Sequence, residues 1–359
     1  MSAAAISWDD VAYLQRLGRP LHGVDLDGLD GTGRTLDKLV LNQVTWRGAR
    51  LRGSRLQHVT FVDCDLREAD FGDAALEGCS FTRCRLPGSC WEGASLQQCA
   101  FALTDLSASA WTKAEIALSA FTQADLRGAV FAHAVLHRTV ATQCELAGLG
   151  LAHATLAQAV IPEADFRTID VRGLVAQAAV LQGSRFDGMD LRGLVLQRCL
   201  LESANFTDAR LDGADLREAN LRKAVLARTS LREAKLDSAL LLESQWIDVD
   251  AAGLACAGAL FQSADLQRVS LAGAQATGSV WDHARLVDVD FDQAVLAYAR
   301  FDHAAGECVR FRHARLDHAS FHNTRFADVD MHAAHTRRMR GTSSPRLVAE
   351  ARALALETP

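Results

Sequence analysis

The chain has 359 residues, enough to bury a large core. It is 49% hydrophobic and 23% charged, a balance that excludes wholesale disorder and a bulk membrane protein. A net charge of -6 and a pI near 6.1 exclude nucleic-acid binding through general basicity.

The chain starts MSAAAISWDD. It has no basic n-region, so no secretory signal is expected and a cytoplasmic location is. No apolar run is long enough to predict a transmembrane helix. Ser7 reads as an N-cap ahead of Trp8-Asp9-Asp10, and Leu17-Gly18 reads as a stop. Val11, Leu14 and Leu17 share one face. Residues 1–20 are therefore expected to form a short helix that caps the next element of the chain.

From Leu21 onward the chain repeats with a period of five. Between Leu21 and Met331, every fifth residue gives 63 positions, holding 32 Leu, 15 Phe and 5 Trp. All 15 Phe of the protein fall in this register, so the frame is not accidental. If the large residue is i, then i−2 is small, i−1 is often Asp or Asn, and i+2 holds 19 of the 25 Gly. Ala204–Ala224 shows the pattern most cleanly. Period five fits neither a 3.6-residue helix nor a two-residue strand. It fits a chain that turns a corner in every unit, with i and i−2 inside and glycine available where φ must be positive.

The aromatic residues set the coil length. Phe61, Phe81, Phe101 and Phe121 recur every 20 residues, as do Phe71, Trp91, Trp111 and Phe131. Phe166, Phe186 and Phe206 do the same, and so do Phe261, Trp281, Phe301 and Phe321. Four units per coil would stack each set as a ladder in the core.

This A(D/N)LXX pattern over residues 21–335 resembles the pentapeptide-repeat proteins. The resemblance implies an all-β fold, a right-handed quadrilateral β-helix of about 16 coils with short N- and C-terminal helices. At a strand spacing of roughly 4.8 Å that would be a rod about 75 Å long. Leu174/Ala176, Val249/Ala251 and Leu254/Cys256 exchange large and small between i−2 and i, so core volume is kept. Gly31, Ala141, Ala276 and Gly306 are not compensated in this way and predict local narrowing, a bulge or a bend.

Residues 336–359 leave the frame. Ser344-Pro345 opens a second helix with Pro at its first position, and Leu347, Ala351 and Leu354 share a face. The helix has three readings: a cap on the last coil, an element that docks on a partner, or a segment that stays mobile. Arg337, Arg338, Arg340, Leu347 and Leu354 are the candidate partner-binding residues.

Chemistry-bearing constellations are sparse. Six of the nine Cys occupy i−2, and Cys64/Cys84 and Cys79/Cys99 would be stacked neighbours. That spacing is within disulfide reach, but in a reducing compartment buried free thiols are expected. His283 and His303 share an outward slot one coil apart. A solvated polar face is expected there rather than a metal or pH-sensing site, and no cofactor or metal is assigned. The i−1 carboxylates are too regular for an acid/base pair and read as one repeated structural position. An exposed i+1 change such as Arg217→Ala is expected to cost within about 0.5 kcal/mol. With no nucleophile, P-loop, zinc-protease or dinucleotide motif, the expectation is a non-enzyme.

The functional expectation is a protein-binding scaffold, because long solenoids present variable outward residues for docking. The entry His22–Asp30, the length and the exit Arg337-Arg338-Met339-Arg340 resemble the large pentapeptide-repeat proteins encoded with bacterial type VI secretion components. That implies an adaptor or chaperone whose partners are secretion spike or effector proteins. The family offers two alternatives. One is a DNA mimic directed at gyrase, which needs a near-continuous acidic surface; residues 21–331 carry 31 basic and 40 acidic residues, with Arg mixed throughout. The other is a secreted effector. Neither direct nucleic-acid binding nor membrane association is expected.

Overall fold

The computed structural model describes residues 6–357, with side chains of the last helix described as far as Arg352. The chain divides after Val180 into two compact units. Both are parallel β-solenoids, and together they hold about 16 turns.

In the first unit, α1 (Trp8–Arg16) precedes the first coil. Ser7 caps it: its hydroxyl accepts from the Asp10 amide, and the Asp10 carboxylate accepts in return from the Ser7 amide. Val11 is buried, whereas Leu17 faces solvent. The indole of Trp8 donates to the Asp30 carbonyl at 2.7 Å and lies over Gly31, where a β-carbon would sit 3.2 Å from the ring and 2.8 Å from Leu51. The uncompensated Gly31 is thus the seat of the cap.

The coils have four sides. One side is a seven-stranded parallel sheet running from Leu21–His22 through Val40–Asn42 to Val140–Thr142. A second stacks the triplets from Thr35–Asp37 to Val175–Gln177. The other two sides pair through single bridges such as Asp25↔Thr45 and Asp30↔Arg50. Register is 20 residues throughout, as in Phe61↔Phe81. The first sheet ends at Ala141, where Ala141, Cys144 and Leu146 are only half-buried. The small residue at i thus leaves the core partly open, where narrowing, a bulge or a bend was expected.

The second unit pairs Val225–Ala227 with Gln245–Ile247, then six-residue strands from Asp265–Ser270 to Arg325–Asp330. Gly306 lies in one of these strands, and a β-carbon there would collide with the Leu286 carbonyl oxygen. Successive coils approach there until no side chain fits between their backbones. Ala276, by contrast, is simply buried. All three exchanged pairs are buried at both positions.

Every corner uses the same device. From Gly18 to Arg338 each i+2 residue has φ between +50° and +82°, and among the described residues Thr168 alone departs, in the 3-10 turn Phe166–Thr168. Forty-four of these residues are not glycine. The left-handed conformation costs an ordinary residue about 1 kcal/mol or more. Interlocking bonds hold it: the i+3 amide returns to the i carbonyl, as Ala49 does to Trp46, and the i+2 amide donates into the next coil, as Gly48 does to Arg67.

Aromatic ladders form within each unit. Phe61, Phe81, Phe101 and Phe121 stack with centroids 4.6–5.0 Å apart. Phe71, Trp91, Trp111 and Phe131 stack at 4.1–5.2 Å, and the two ladders meet edge to face, as Phe81 and Trp91 do at 5.8 Å. In the second unit Phe186 stacks on Phe206, and Phe261, Trp281, Phe301 and Phe321 form a column. Phe291 and Phe311 add a further pair at 5.1 Å. Cys64, Cys79, Cys84, Cys99, Cys199 and Cys256 are buried free thiols, and burial pushes the Cys256 thiol up. Among the described residues no helix is long and apolar enough to cross a membrane.

Candidate partner-binding surfaces

The outward positions acquire their chemistry from the corners. An Asp or Asn at i−1 turns its side chain to accept from the i+1 amide, as Asp70 does from Gly72 at 2.8 Å and Asn205 from Thr207 at 3.0 Å. Where i+1 is Arg, its guanidinium forks onto the same carboxylate. Asp125–Arg127, Asp170–Arg172, Asp190–Arg192 and Asp215–Arg217 all do this. The repeated carboxylate is therefore a turn cap that also neutralises the adjacent cation.

Asp215 is the strongest case. It is buried, bonded by Arg217 and also by Gln197 at 2.7 Å. The Arg217 fork, acting against burial and helped by Gln197, pulls its carboxyl down to about 2. Arg217 is accordingly not a neutral surface residue, and the small cost expected for Arg217→Ala is revised upward. Asp215→Asn is expected to cost about 1–2 kcal/mol at pH 7. Because the folded value lies below the unfolded one, this stabilisation is complete above about pH 4 and fades as pH falls towards 2. Urea denaturation at pH 7 and pH 2.5 checks it: the gap between wild type and variant should narrow at the lower pH.

Charge is not spread evenly over the first unit. The outward side chains of its seven-stranded sheet form two columns. One holds Val40, Thr60, Ser80, Ala100, Ala120 and Val140, and the other His22, Asn42, Val62, Thr82, Ala102, Thr122 and Thr142. Neither column contains an Asp, Glu, Lys or Arg. Two apolar corner residues flank this sheet, Leu103 at 53% and Leu118 at 46% exposure. The side bearing Asp25, Asp27, Asp65 and Arg67 is charged by comparison. The second unit shows a smaller apolar display, with Leu200 and Leu240 exposed.

The C-terminal residues take their place from α2 (Ser344–Glu357). Arg337, Arg338 and Arg340 are exposed on the last coil, and Leu347 is half-buried. The Leu354 side chain lies outside the described residues. The helix rests on outward side chains of earlier coils. Arg346 donates to Asp302 at 2.6 Å and to Glu350 at 2.8 Å, while Glu350 meets both His322 and His303. Asp302 is buried and also accepts from the Ser320 hydroxyl and the His322 amide. Burial opposes its charge, but those donors together with Arg346 hold its carboxyl below the usual range. His283 stacks on His303 at 4.9 Å. Sequence reasoning placed these two histidines together but missed Asp302, His322, Arg346 and Glu350. His322 carried a weak signal, being outward one coil after Asp302. Glu350 lies beyond the repeat, where the five-residue frame assigns no neighbours.

Four sides, 20 residues per coil and parallel stacking define a quadrilateral β-solenoid. A family model for pentapeptide repeats matches eight copies, over residues 47–83, 119–149, 175–208, 204–241 and 307–335. The chain belongs to the pentapeptide-repeat family. Among solved structures it is similar to full-length QnrB1, a plasmid-mediated fluoroquinolone resistance protein, at 20% identity over 51% of this chain and 91% of that one, with a TM-score of 0.40. It is also similar to HetL, a pentapeptide-repeat protein involved in heterocyst differentiation regulation from the cyanobacterium Nostoc sp. strain PCC 7120. There the identity is 18%, over 76% of this chain and 89% of that one, with a TM-score of 0.18. A comparison with curated proteins found no match.

Proposed function

We propose that this protein is a non-enzymatic scaffold that binds protein partners, and that the uncharged sheet face of the first unit is its principal docking surface. The observation that carries this reading is the absence of Asp, Glu, Lys and Arg from both outward columns of that sheet, in a chain that is 23% charged. A flat face of small and β-branched residues is cheap to desolvate, and charged residues are depleted at the cores of protein interfaces. The solenoid corners hold that face rigid, so little ordering entropy is lost on binding.

The secretion-adaptor form of this reading draws no support from the matches, so the proposal is kept at the level of protein binding. The gyrase-directed mimic is weakened by the Asp–Arg forks, which neutralise acids in place instead of presenting a continuous acidic surface.

The test uses the full chain as bait. A partner retained by wild type is expected to be lost by a Thr82→Arg/Thr122→Arg variant whose melting temperature is unchanged, and kept by Lys235→Ala. Equal retention by the double variant would overturn the assignment of the face. Protection or inhibition of gyrase supercoiling at micromolar protein would favour the mimic instead.

A further inference from the structure

We propose that His303, His322 and Glu350 form a binding site for a zinc-type divalent cation, which fastens α2 to the second unit. His322 is 2% exposed, although its position in the repeat is an outward one. Its Nε2 lies 3.2 Å from Glu350 Oε2, and His303 Nε2 lies 3.4 Å from the same oxygen. The three donor atoms fall within 4.8 Å of one another. Bonds of about 2.0–2.1 Å to nitrogen and oxygen give a tetrahedral edge of about 3.3–3.4 Å. Two edges of the site already have that length. The third closes by drawing the two imidazoles together, and they already meet edge to face with centroids 5.4 Å apart.

The donor set selects the ion. Two imidazoles and one carboxylate suit zinc and its late first-row neighbours, and suit magnesium or calcium poorly. The surroundings favour positive charge, because the Asp302 and Glu350 carboxylates face one guanidinium, Arg346. With three protein ligands, the fourth position falls to water or to a partner's side chain.

Without a cation, the Ser343 amide donates to His322 Nδ1 at 3.0 Å, so the neutral ring carries its proton on Nε2 and donates it to Glu350. Loading moves that proton to Nδ1 and gives up the Ser343 bond. The short segment Gly341–Ser343, between the last coil and α2, must turn to allow this. His303 makes the same proton shift, and a flip of the Asn323 amide, whose nitrogen faces its Nδ1 at 3.1 Å, turns the amide oxygen to accept from the new Nδ1–H.

Titration of zinc chloride into the full chain tests the site. A Cys308→Ser background removes the exposed thiol. One saturable equivalent is expected, weakened at least about tenfold in His303→Ala and in Glu350→Gln. Zinc should also slow amide exchange in the first turns of α2. Glu350 lies on a helix surface, so its substitution leaves the coils folded even if His322→Ala does not. No saturable binding up to about 100 μM zinc, or binding unchanged in Glu350→Gln, would overturn the proposal.

Discussion

Replacing Phe101 with alanine is expected to cost about 3–5 kcal/mol. Phe101 is fully buried, stacked on Phe81 at 4.8 Å and on Phe121 at 5.0 Å. Trp91 and Trp111 press on it edge to face at 5.7 and 5.8 Å. Its removal therefore empties the crossing of two ladders, and the fixed coil spacing leaves neighbouring rungs little room to collapse into the gap. In a solenoid each coil depends mainly on its neighbours, so the loss should be local to the first unit. Chemical denaturation followed by Trp fluorescence reports it, because Trp91 and Trp111 line the gap. Lys235→Ala, at an exposed outward position, should stay within about 0.5 kcal/mol. Equal costs for the two variants would refute the assignment of inside and outside.

Gly306→Ala is the second large effect, expected at about 3 kcal/mol. The added β-carbon would collide with the Leu286 carbonyl, and backbone in a paired strand cannot step aside as a side chain can. Gly213→Ala is the matched control. It sits at a corner with φ of +65° and nothing within 4 Å of the new atom, so it should cost only the conformational penalty of about 1 kcal/mol. Thermal melts of the two variants separate steric from conformational demand. If both lose the same amount, the close approach at Gly306 is not a constraint.

These residues also show what the sequence made legible. Phe101 and its ladder were readable because all the phenylalanines share one register, and a shared register at 20-residue intervals means a shared column. Gly306 and Gly31 were readable as faults in the frame, but not in their causes. One accommodates the Leu286 backbone and the other the Trp8 indole, and neither neighbour can be inferred from periodicity. The corner glycines pointed correctly to positive φ. They hid the larger fact that lysine, arginine and even leucine take the same conformation, because inter-coil hydrogen bonding outweighs local preference. The division after Val180 left no mark on the sequence, since the frame runs through it unchanged. The cluster beneath α2 was invisible for the opposite reason: the repeat ends before Glu350, and with it the rule that assigns neighbours.

The constant register has a kinetic meaning. Paired strands in both units are 20 residues apart, as at Phe61↔Phe81 and Val225↔Gln245, so a typical contact spans only about 0.06 of the chain. Sheet proteins usually fold slowly because distant segments must find one another. Here each new coil needs only the one before it, so loop closure costs the same at every step. Once a first pair of coils has formed, growth can proceed by zippering from either side of the nucleus. The protein should refold at rates more typical of helical bundles than of β-sandwiches of comparable sheet content.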